Sequence, residues 1–142
     1  MMKKLAAYLT LAFSLLTLSA CAAPAAAAVP TPTPTPRRAE YHKISAADAK
    51  ARMDSGDAVV VLDVRTKEEY DAGHIAGAVL LPNETIADTR PDLLPDLGAE
   101  ILIYCRSGNR SAQAANKLVA MGYTNVYDFG GIIDWPYEVV TE

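Results

Sequence analysis

The chain has 142 residues, 51% of them hydrophobic, and carries 13 Lys and Arg residues against 17 Asp and Glu residues. The stretch 39–142 holds nine of those basic residues and all 17 acidic ones, so its net charge is −8. Such an acidic surface argues against nucleic acid and against an anionic bilayer as partners of this stretch. Its roughly 100 residues are enough for one compact domain and too few for two.

The first 20 residues have the features of a signal peptide. Lys3 and Lys4 form a positive start, and the apolar run that follows at 5–18 is too short to cross a bilayer comfortably. It ends in Leu-Ser-Ala-Cys, which resembles the lipobox of bacterial lipoproteins. The resemblance implies cleavage before Cys21 and a diacylglycerol lipid on its sulfur. The product would be an exported lipoprotein, anchored to a membrane on the extracytoplasmic side, in the periplasm or at the cell surface. An ordinary secretory peptide cleaved at Ala23 or later is the alternative.

Residues 21–38 form a linker rich in Ala, Pro and Thr, with Pro and Thr alternating over 30–36. It has almost no large apolar side chains and therefore cannot build a core. Alternating prolines favour an extended polyproline II conformation, which predicts a stalk that holds the domain away from a membrane. A plain disordered linker is the alternative.

The remaining stretch alternates short β-rich runs with helical patterns, which predicts an α/β domain with a parallel sheet. Ser45, with Asp48 three residues later, is predicted to be a helix N-cap, and Thr66 with Glu69 has the spacing of a capping box. The predicted strands are 41–44, 58–63, 78–81, 101–104 and 126–129. The predicted helices are 45–55, 66–73 and 111–121, with short helical turns over 83–97.

One cysteine lies where the fourth predicted strand leads into a helix. Ligands of open parallel sheets bind at this carboxyl edge, and a turn entering a helix points backbone N–H groups at its centre. Gly108 supplies the freedom in φ that a tight turn needs, and Arg106 and Arg110 add positive charge. Each feature favours a thiolate, so the pattern predicts a lowered pKa for Cys105 and a nucleophilic role. A small buried core residue is the alternative for Cys105 taken alone.

Three segments of the chain resemble the rhodanese-like sulfurtransferases. LDVRTKEEYDAGHIAGAVLLP at 62–82 is similar to the family's first signature, and ILIYCRSGNRS at 101–111 is similar to its active-site loop. MGYTNVYDFGGIIDW at 121–135 is similar to its closing segment. The three cover nearly all of the predicted domain, 39–142, in the family's order. The resemblance implies a central, mostly parallel five-stranded sheet flanked by helices on both faces.

The same resemblance implies a two-step sulfur transfer. The Cys105 thiolate takes the sulfane sulfur of a small anionic donor, thiosulfate or polysulfide, and becomes a persulfide. A thiol or cyanide acceptor then removes that sulfur. No metal or organic cofactor is implied, because the covalent persulfide is the intermediate. The residues implied to bind the substrate are Arg106, Ser107, Gly108, Asn109, Arg110, Ser111 and Arg65.

Asp63 and Arg65 follow the second predicted strand and are expected at the same edge of the sheet as Cys105. The resemblance suggests that Arg65 lines the pocket and that Asp63 orients the cysteine loop. A structural ion pair within a turn is the alternative. Glu69 is assigned only to its capping box.

Other functions stay open. A rhodanese-like module would carry or sense a persulfide without turnover on thiosulfate. Phosphatases of the same architecture carry Cys-x5-Arg, whereas Cys105 to Arg110 is Cys-x4-Arg, and the shorter loop suits a sulfur atom better than a phosphate. Arsenate reduction would need a second thiol, which a lipidated Cys21 would not supply. A disulfide between Cys21 and Cys105 would consume both of their predicted roles.

Overall fold

The structure is a computed structural model that describes residues 41–141. The predicted signal peptide, the lipidation site Cys21 and the linker 21–38 lie outside the described residues, so these assignments stay predictions. Within 41–141, no helix has both the length and the apolar character needed to cross a membrane.

The described residues form a five-stranded sheet in which every neighbouring pair of strands is parallel. Its strands lie in the spatial order β1-β5-β4-β2-β3. This confirms the predicted α/β fold, because the strands alternate with helices along the chain. The strands are β1 at Tyr41–Lys43, β2 at Val59–Asp63, β3 at Val79–Leu80, β4 at Glu100–Cys105 and β5 at Asn125–Gly131.

Three α-helices connect the strands, and two of them begin after the N-cap residues that the sequence predicts, Ser45 and Thr66, each in a capping box. The helices are α1 at Ala46–Asp54, α2 at Lys67–Asp71 and α3 at Asn109–Ala120. The Asp48 amide donates to Ser45 Oγ at 3.1 Å, and the Glu69 amide donates to Thr66 Oγ1 at 3.3 Å. Over 83–97, where short helical turns are predicted, the structure has a single 3-10 turn at Asn83–Thr85.

The helices cover both faces of the sheet, and β4 supplies side chains to both cores. Successive side chains of a strand point to opposite faces, so a strand buried on both sides is apolar throughout. Residues 101, 103 and 105 of β4 pack in the cluster to which α3 contributes Ala114, Ala115 and Leu118. Residues 102 and 104 pack in the opposite cluster, to which α1 contributes Ala49. Cys105 therefore belongs to the core on the α3 side.

Candidate active site

Cys105 is the last residue of β4, at the carboxyl edge of the sheet. Only residues 106–108 separate it from α3, which begins at Asn109, two residues before the predicted start. Arg110 therefore lies in the first turn of a helix. The turn before α3 is tight because Gly108 adopts the left-handed conformation, with φ of 96°. This connection brings the helix N-terminus back toward the sulfur of Cys105.

The Cys105 side chain is a free thiol, and the residue is 1% exposed. The Gly108 amide donates to its sulfur at 3.1 Å. Its S–H donates to Ser111 Oγ at 3.7 Å, and Ser111 is itself fully buried. Gly108, the N-cap of α3, has no side chain to cap the first turn. Its amide and the Ser111 amide are instead donors to the sulfur of Cys105.

These contacts lower the pKa of the Cys105 thiol below its ordinary value. Burial is the largest single influence and opposes ionisation, because a charged sulfur loses solvation. The amide and hydroxyl of Ser111, with the amides of Ser107 and Gly108, act in the opposite direction and outweigh it. Amide and hydroxyl donors, rather than a guanidinium in contact with the sulfur, therefore favour the thiolate.

Strand β5 forms the other wall of the cysteine loop. A register shift between β4 and β5 leaves Phe129 without a partner, so that Cys105 pairs with Gly131. A side chain on Gly131 would overlap the Arg106 carbonyl and the Ser107 Cα. The Ser111 hydroxyl also lies within hydrogen-bonding distance of the Gly130 carbonyl, at 3.3 Å. The loop is thus packed directly against the backbone of β5.

The two arginines of the predicted loop have different environments. Arg106 is exposed, and within residues 41–141 no hydrogen bond or ion pair of its guanidinium is found. Arg110 donates to both carboxylate oxygens of Glu69, at 2.6 and 2.9 Å. This ion pair holds the pKa of Glu69 down to about 2. The capping-box assignment of Glu69 was therefore incomplete, since nothing local in the sequence indicates its contact with a helix 41 residues away.

Asp63 and Arg65 form a buried ion pair at the carboxyl end of β2. Arg65 Nη2 donates to Asp63 Oδ2 at 2.6 Å and to the Gly73 carbonyl at 2.8 Å, and the guanidinium lies over the Tyr104 ring. Tyr104 points to the sheet face opposite Cys105, so these contacts direct Arg65 away from the sulfur. The geometry matches the alternative of a structural ion pair, and a substrate-binding role for Arg65 stays a prediction.

Of the other loop residues, Ser107 and Asn109 are exposed. Asn109 Oδ1 accepts a hydrogen bond from Gln113 within α3. One cation at this edge of the sheet was not predicted from the sequence: Lys43, the last residue of β1, whose ammonium donates to Asp128 at 2.9 Å. Within residues 41–141, no cluster of three or more His, Cys, Asp or Glu side chains is arranged to hold a metal ion.

The fold and the site together define an α/β domain that presents a cysteine in an amide-lined loop at the carboxyl edge of a parallel sheet. Residues 45–136 match the family described as the rhodanese-like domain. The chain is 41% identical over 93 residues to thiosulfate sulfurtransferase GlpE of Pseudomonas entomophila, a match that covers 66% of this chain and 82% of that protein. It is 36% identical over 73 residues to thiosulfate sulfurtransferase PspE of Escherichia coli K12, covering 51% and 70% of the two chains.

Among solved structures, a rhodanese-like domain protein from Staphylococcus aureus superimposes with a TM-score of 0.61 at 32% identity. That match covers 71% of this chain and 98% of the other. The chain therefore belongs to the rhodanese-like domain family, which confirms the resemblance seen in its three sequence segments. The relatives named as sulfurtransferases also support the prediction of a rhodanese-type enzyme.

Proposed function

We propose that this protein moves a sulfane sulfur from thiosulfate or polysulfide to a thiol or cyanide acceptor, through a persulfide on Cys105. The observation that supports this most directly is the set of donors around the sulfur. The Gly108 amide lies 3.1 Å from Sγ, and the Ser111 and Ser107 groups assist in lowering the thiol pKa. A thiolate is the nucleophilic form of cysteine, so Cys105 is prepared to attack.

In the first step, the Cys105 thiolate attacks the sulfane sulfur of thiosulfate. A bond forms between Sγ and the sulfane sulfur, while the bond from that sulfur to the sulfonate breaks, and its electron pair leaves with sulfite. The product is a Cys105 persulfide that carries one negative charge on its outer sulfur. The amides of a helix N-terminus stabilise negative charge, so the loop would hold this outer sulfur as it holds the thiolate.

In the second step, an acceptor thiolate attacks the outer sulfur of the persulfide. The new bond joins the acceptor to that sulfur, and the electron pair of the broken S–S bond returns to Cys105 Sγ as the thiolate. Cyanide would react in the same way and leave as thiocyanate. Neither step needs an external oxidant or reductant, because the same sulfur atom passes from donor to enzyme to acceptor.

The size of the loop favours sulfur transfer over phosphate ester hydrolysis. Residues 106–108 are all that separates β4 from α3, and Gly131 packs closely against the backbone of Arg106 and Ser107. A tight turn of this kind suits a single additional sulfur atom, whereas a phosphate has three equatorial oxygens to accommodate. The names of the sulfurtransferase relatives point the same way.

Mass spectrometry of the purified protein after thiosulfate treatment tests the proposal. We expect one added sulfur on Cys105 in the wild-type protein, removed by cyanide, and no addition in Cys105→Ser. Sulfite release from thiosulfate plus cyanide should show the same dependence on Cys105. Persulfide formation without turnover would indicate a sulfur carrier, and p-nitrophenyl phosphate hydrolysis without any persulfide would indicate a phosphatase.

We further propose that the protein is exported and anchored to a membrane through a lipid on Cys21. The support comes from the sequence alone: a short apolar run ends in Leu-Ser-Ala-Cys and precedes the Pro-Thr linker. Labelling with a radioactive fatty acid, followed by membrane fractionation, tests this. Wild-type protein should carry the label and sediment with membranes, and Cys21→Ser should do neither.

A further inference from the structure

Lys43 lies at the same edge of the sheet as Cys105, although the two are far apart in sequence. It ends β1, and in the parallel pairing of β1 with β5 it stands opposite Asp128. Strand β5 lies between β1 and β4, so Lys43 and Cys105 end two strands that flank the same neighbour. The carboxyl ends of parallel strands meet at one edge, which is where ligands of such sheets bind.

The Lys43 ammonium borders the cysteine loop itself. A methyl group placed on Gly108 would stand 3.8 Å from Lys43 Nζ, and the Gly108 amide donates to Cys105 Sγ at 3.1 Å. These two contacts place the ammonium within about 10 Å of the sulfur, which is one Debye length at 0.1 M salt. The negative charge on Cys105 accordingly contributes to a raised pKa of Lys43, after the larger influence of Asp128.

Asp128 holds the Lys43 side chain in place. Its carboxylate is fully buried and accepts hydrogen bonds from Tyr41 Oη at 3.0 Å, from Lys43 Nζ at 2.9 Å and from the Gly130 amide at 2.9 Å. The Lys43 side chain is nevertheless 60% exposed. An ammonium has three N–H donors, and Asp128 accepts from one of them. The hydrogen bond to Asp128 therefore holds the ammonium in place, while its other N–H groups stay accessible to an anion.

Two other cations near this edge, Arg110 and Arg65, are already engaged in ion pairs. Arg110 uses both terminal nitrogens on Glu69, and Arg65 is buried in its pair with Asp63. Among residues 41–141, Lys43 and Arg106 are the cations near Cys105 that remain open to solvent. Because the domain has a net charge of −8, a dianionic donor is repelled at long range and needs such a local cation.

We propose that Lys43 is a specificity-determining residue that binds the sulfonate end of a dianionic sulfur donor. The inference rests on the proposed sulfur transfer and concerns how that site selects its donor. The positive charge of Lys43 favours thiosulfate, a dianion, over a monoanionic donor that transfers the same sulfane sulfur. Asp128 acts as the positioning residue for Lys43.

The experiment compares two donors that differ in one charge. Thiosulfate carries two negative charges. Methanethiosulfonate carries one, because a methyl group replaces an oxygen, and it delivers the same sulfane sulfur while methanesulfinate leaves. In Lys43→Gln, kcat/KM should fall about fivefold for thiosulfate, because an ion pair at an exposed site contributes up to about 1 kcal/mol. For methanethiosulfonate, kcat/KM should fall about twofold at most. The preference for thiosulfate should therefore decrease.

Two control variants separate charge from structure. Lys43→Arg keeps the charge and should keep the donor preference of the wild type. Tyr41→Phe removes another hydrogen bond to Asp128 without changing any charge, and it should leave the ratio of the two kcat/KM values unchanged. The role of Lys43 would be overturned if Lys43→Gln left the ratio of the two kcat/KM values unchanged. It would also be overturned if Tyr41→Phe changed that ratio as much as Lys43→Gln does.

The proposed function has its own separate readout. If the wild-type protein forms no Cys105 persulfide with either donor, the sulfur transfer itself fails. If the persulfide forms with both donors and Lys43→Gln keeps the wild-type preference, only the assignment of Lys43 fails.

Discussion

Arg110 and Glu69 join the cysteine loop to the segment that follows β2. The guanidinium of Arg110, in the first turn of α3, donates to both oxygens of the Glu69 carboxylate at 2.6 and 2.9 Å. The same carboxylate accepts from the Thr66 amide at 3.1 Å and so completes the capping box of α2. The Glu69 side chain thus caps α2 and also holds the first turn of α3, the turn that faces Cys105.

This ion pair should stabilise the domain in a pH-dependent way. Both side chains are about one-quarter exposed, so Glu69→Gln and Arg110→Gln should show a coupling energy of about 1–2 kcal/mol at pH 7. The folded-state pKa of Glu69 is lowered to about 2 from an ordinary value of 4.5. The stabilisation is therefore complete above pH 4.5 and is lost as the pH falls toward 2. Urea unfolding of the double-mutant cycle at several pH values measures it.

The Lys67–Asp71 pair provides a matched control for that cycle. Like the pair of Arg110 and Glu69, it joins a basic side chain to a carboxylate, here at 2.8 Å. It lies within α2, however, and its side chains are more exposed than those of Arg110 and Glu69. Its coupling should be smaller than that of Glu69 and Arg110. Equal couplings in the two cycles, or a coupling of Glu69 and Arg110 that does not change between pH 5 and pH 2, would contradict the structural role given to Glu69.

The Cys105 thiol should react as a thiolate near neutral pH. Its alkylation rate with iodoacetamide should rise with a midpoint below the ordinary thiol pKa of 9.0. Ser111→Ala removes a hydroxyl that lowers the thiol pKa but leaves the amide, so the midpoint should increase. Ser107→Ala is the control, because Ser107 contributes its amide and its side chain is exposed. A wild-type midpoint at or above 9.0 would remove the basis for a nucleophilic Cys105.

Gly130 and Gly131 should respond differently to alanine. Gly131 has an ordinary extended backbone, but a Cβ there would stand 2.6 Å from Ser107 Cα. Gly131→Ala should therefore displace the cysteine loop, cost about 1–3 kcal/mol and slow Cys105 alkylation at pH 7. Gly130 has φ of 93° and open space where a Cβ would stand, so Gly130→Ala should cost about 1 kcal/mol of backbone strain.

Urea unfolding and alkylation rates on both glycine variants give the comparison. Gly130→Ala should keep an alkylation rate close to that of the wild type, because its strain is local to β5. Wild-type alkylation in Gly131→Ala would show that the loop is not held by its contact with β5.

Replacement of Arg65 should affect stability more than donor binding. Arg65→Met leaves the Asp63 carboxylate buried without its cation and the Gly73 carbonyl without a donor, which should cost about 3–5 kcal/mol. Arg65→Lys keeps the charge but not the forked hydrogen bonds, and it should cost less. Urea unfolding measures both. Near-native stability together with a raised KM for thiosulfate would instead assign Arg65 to the donor-binding site.

Much of the fold is determined locally and could be predicted from the sequence. The capping boxes at Ser45 and Thr66 depend on side chains three residues apart, and the structure contains both. Buried parallel strands require continuous apolar runs, so β2 and β4 could be recognised by composition alone. Boundaries were less accurate: α3 begins at Asn109 because Gly108 adopts the left-handed conformation directly before it, and this shortens the loop.

By itself, the sequence determined that a cysteine lies at the junction between a buried strand and a helix, and the local turn then supplies its amide donors. Only the tertiary structure decided which charges surround that cysteine. Arg110 pairs with Glu69 and Lys43 pairs with Asp128 across separations of 41 and 85 residues. These pairs depend on the strand order β1-β5-β4-β2-β3, which brings distant strand ends to one edge. Ion pairs form between side chains that the fold brings close together, and a local sequence pattern does not show which distant residues will be neighbours.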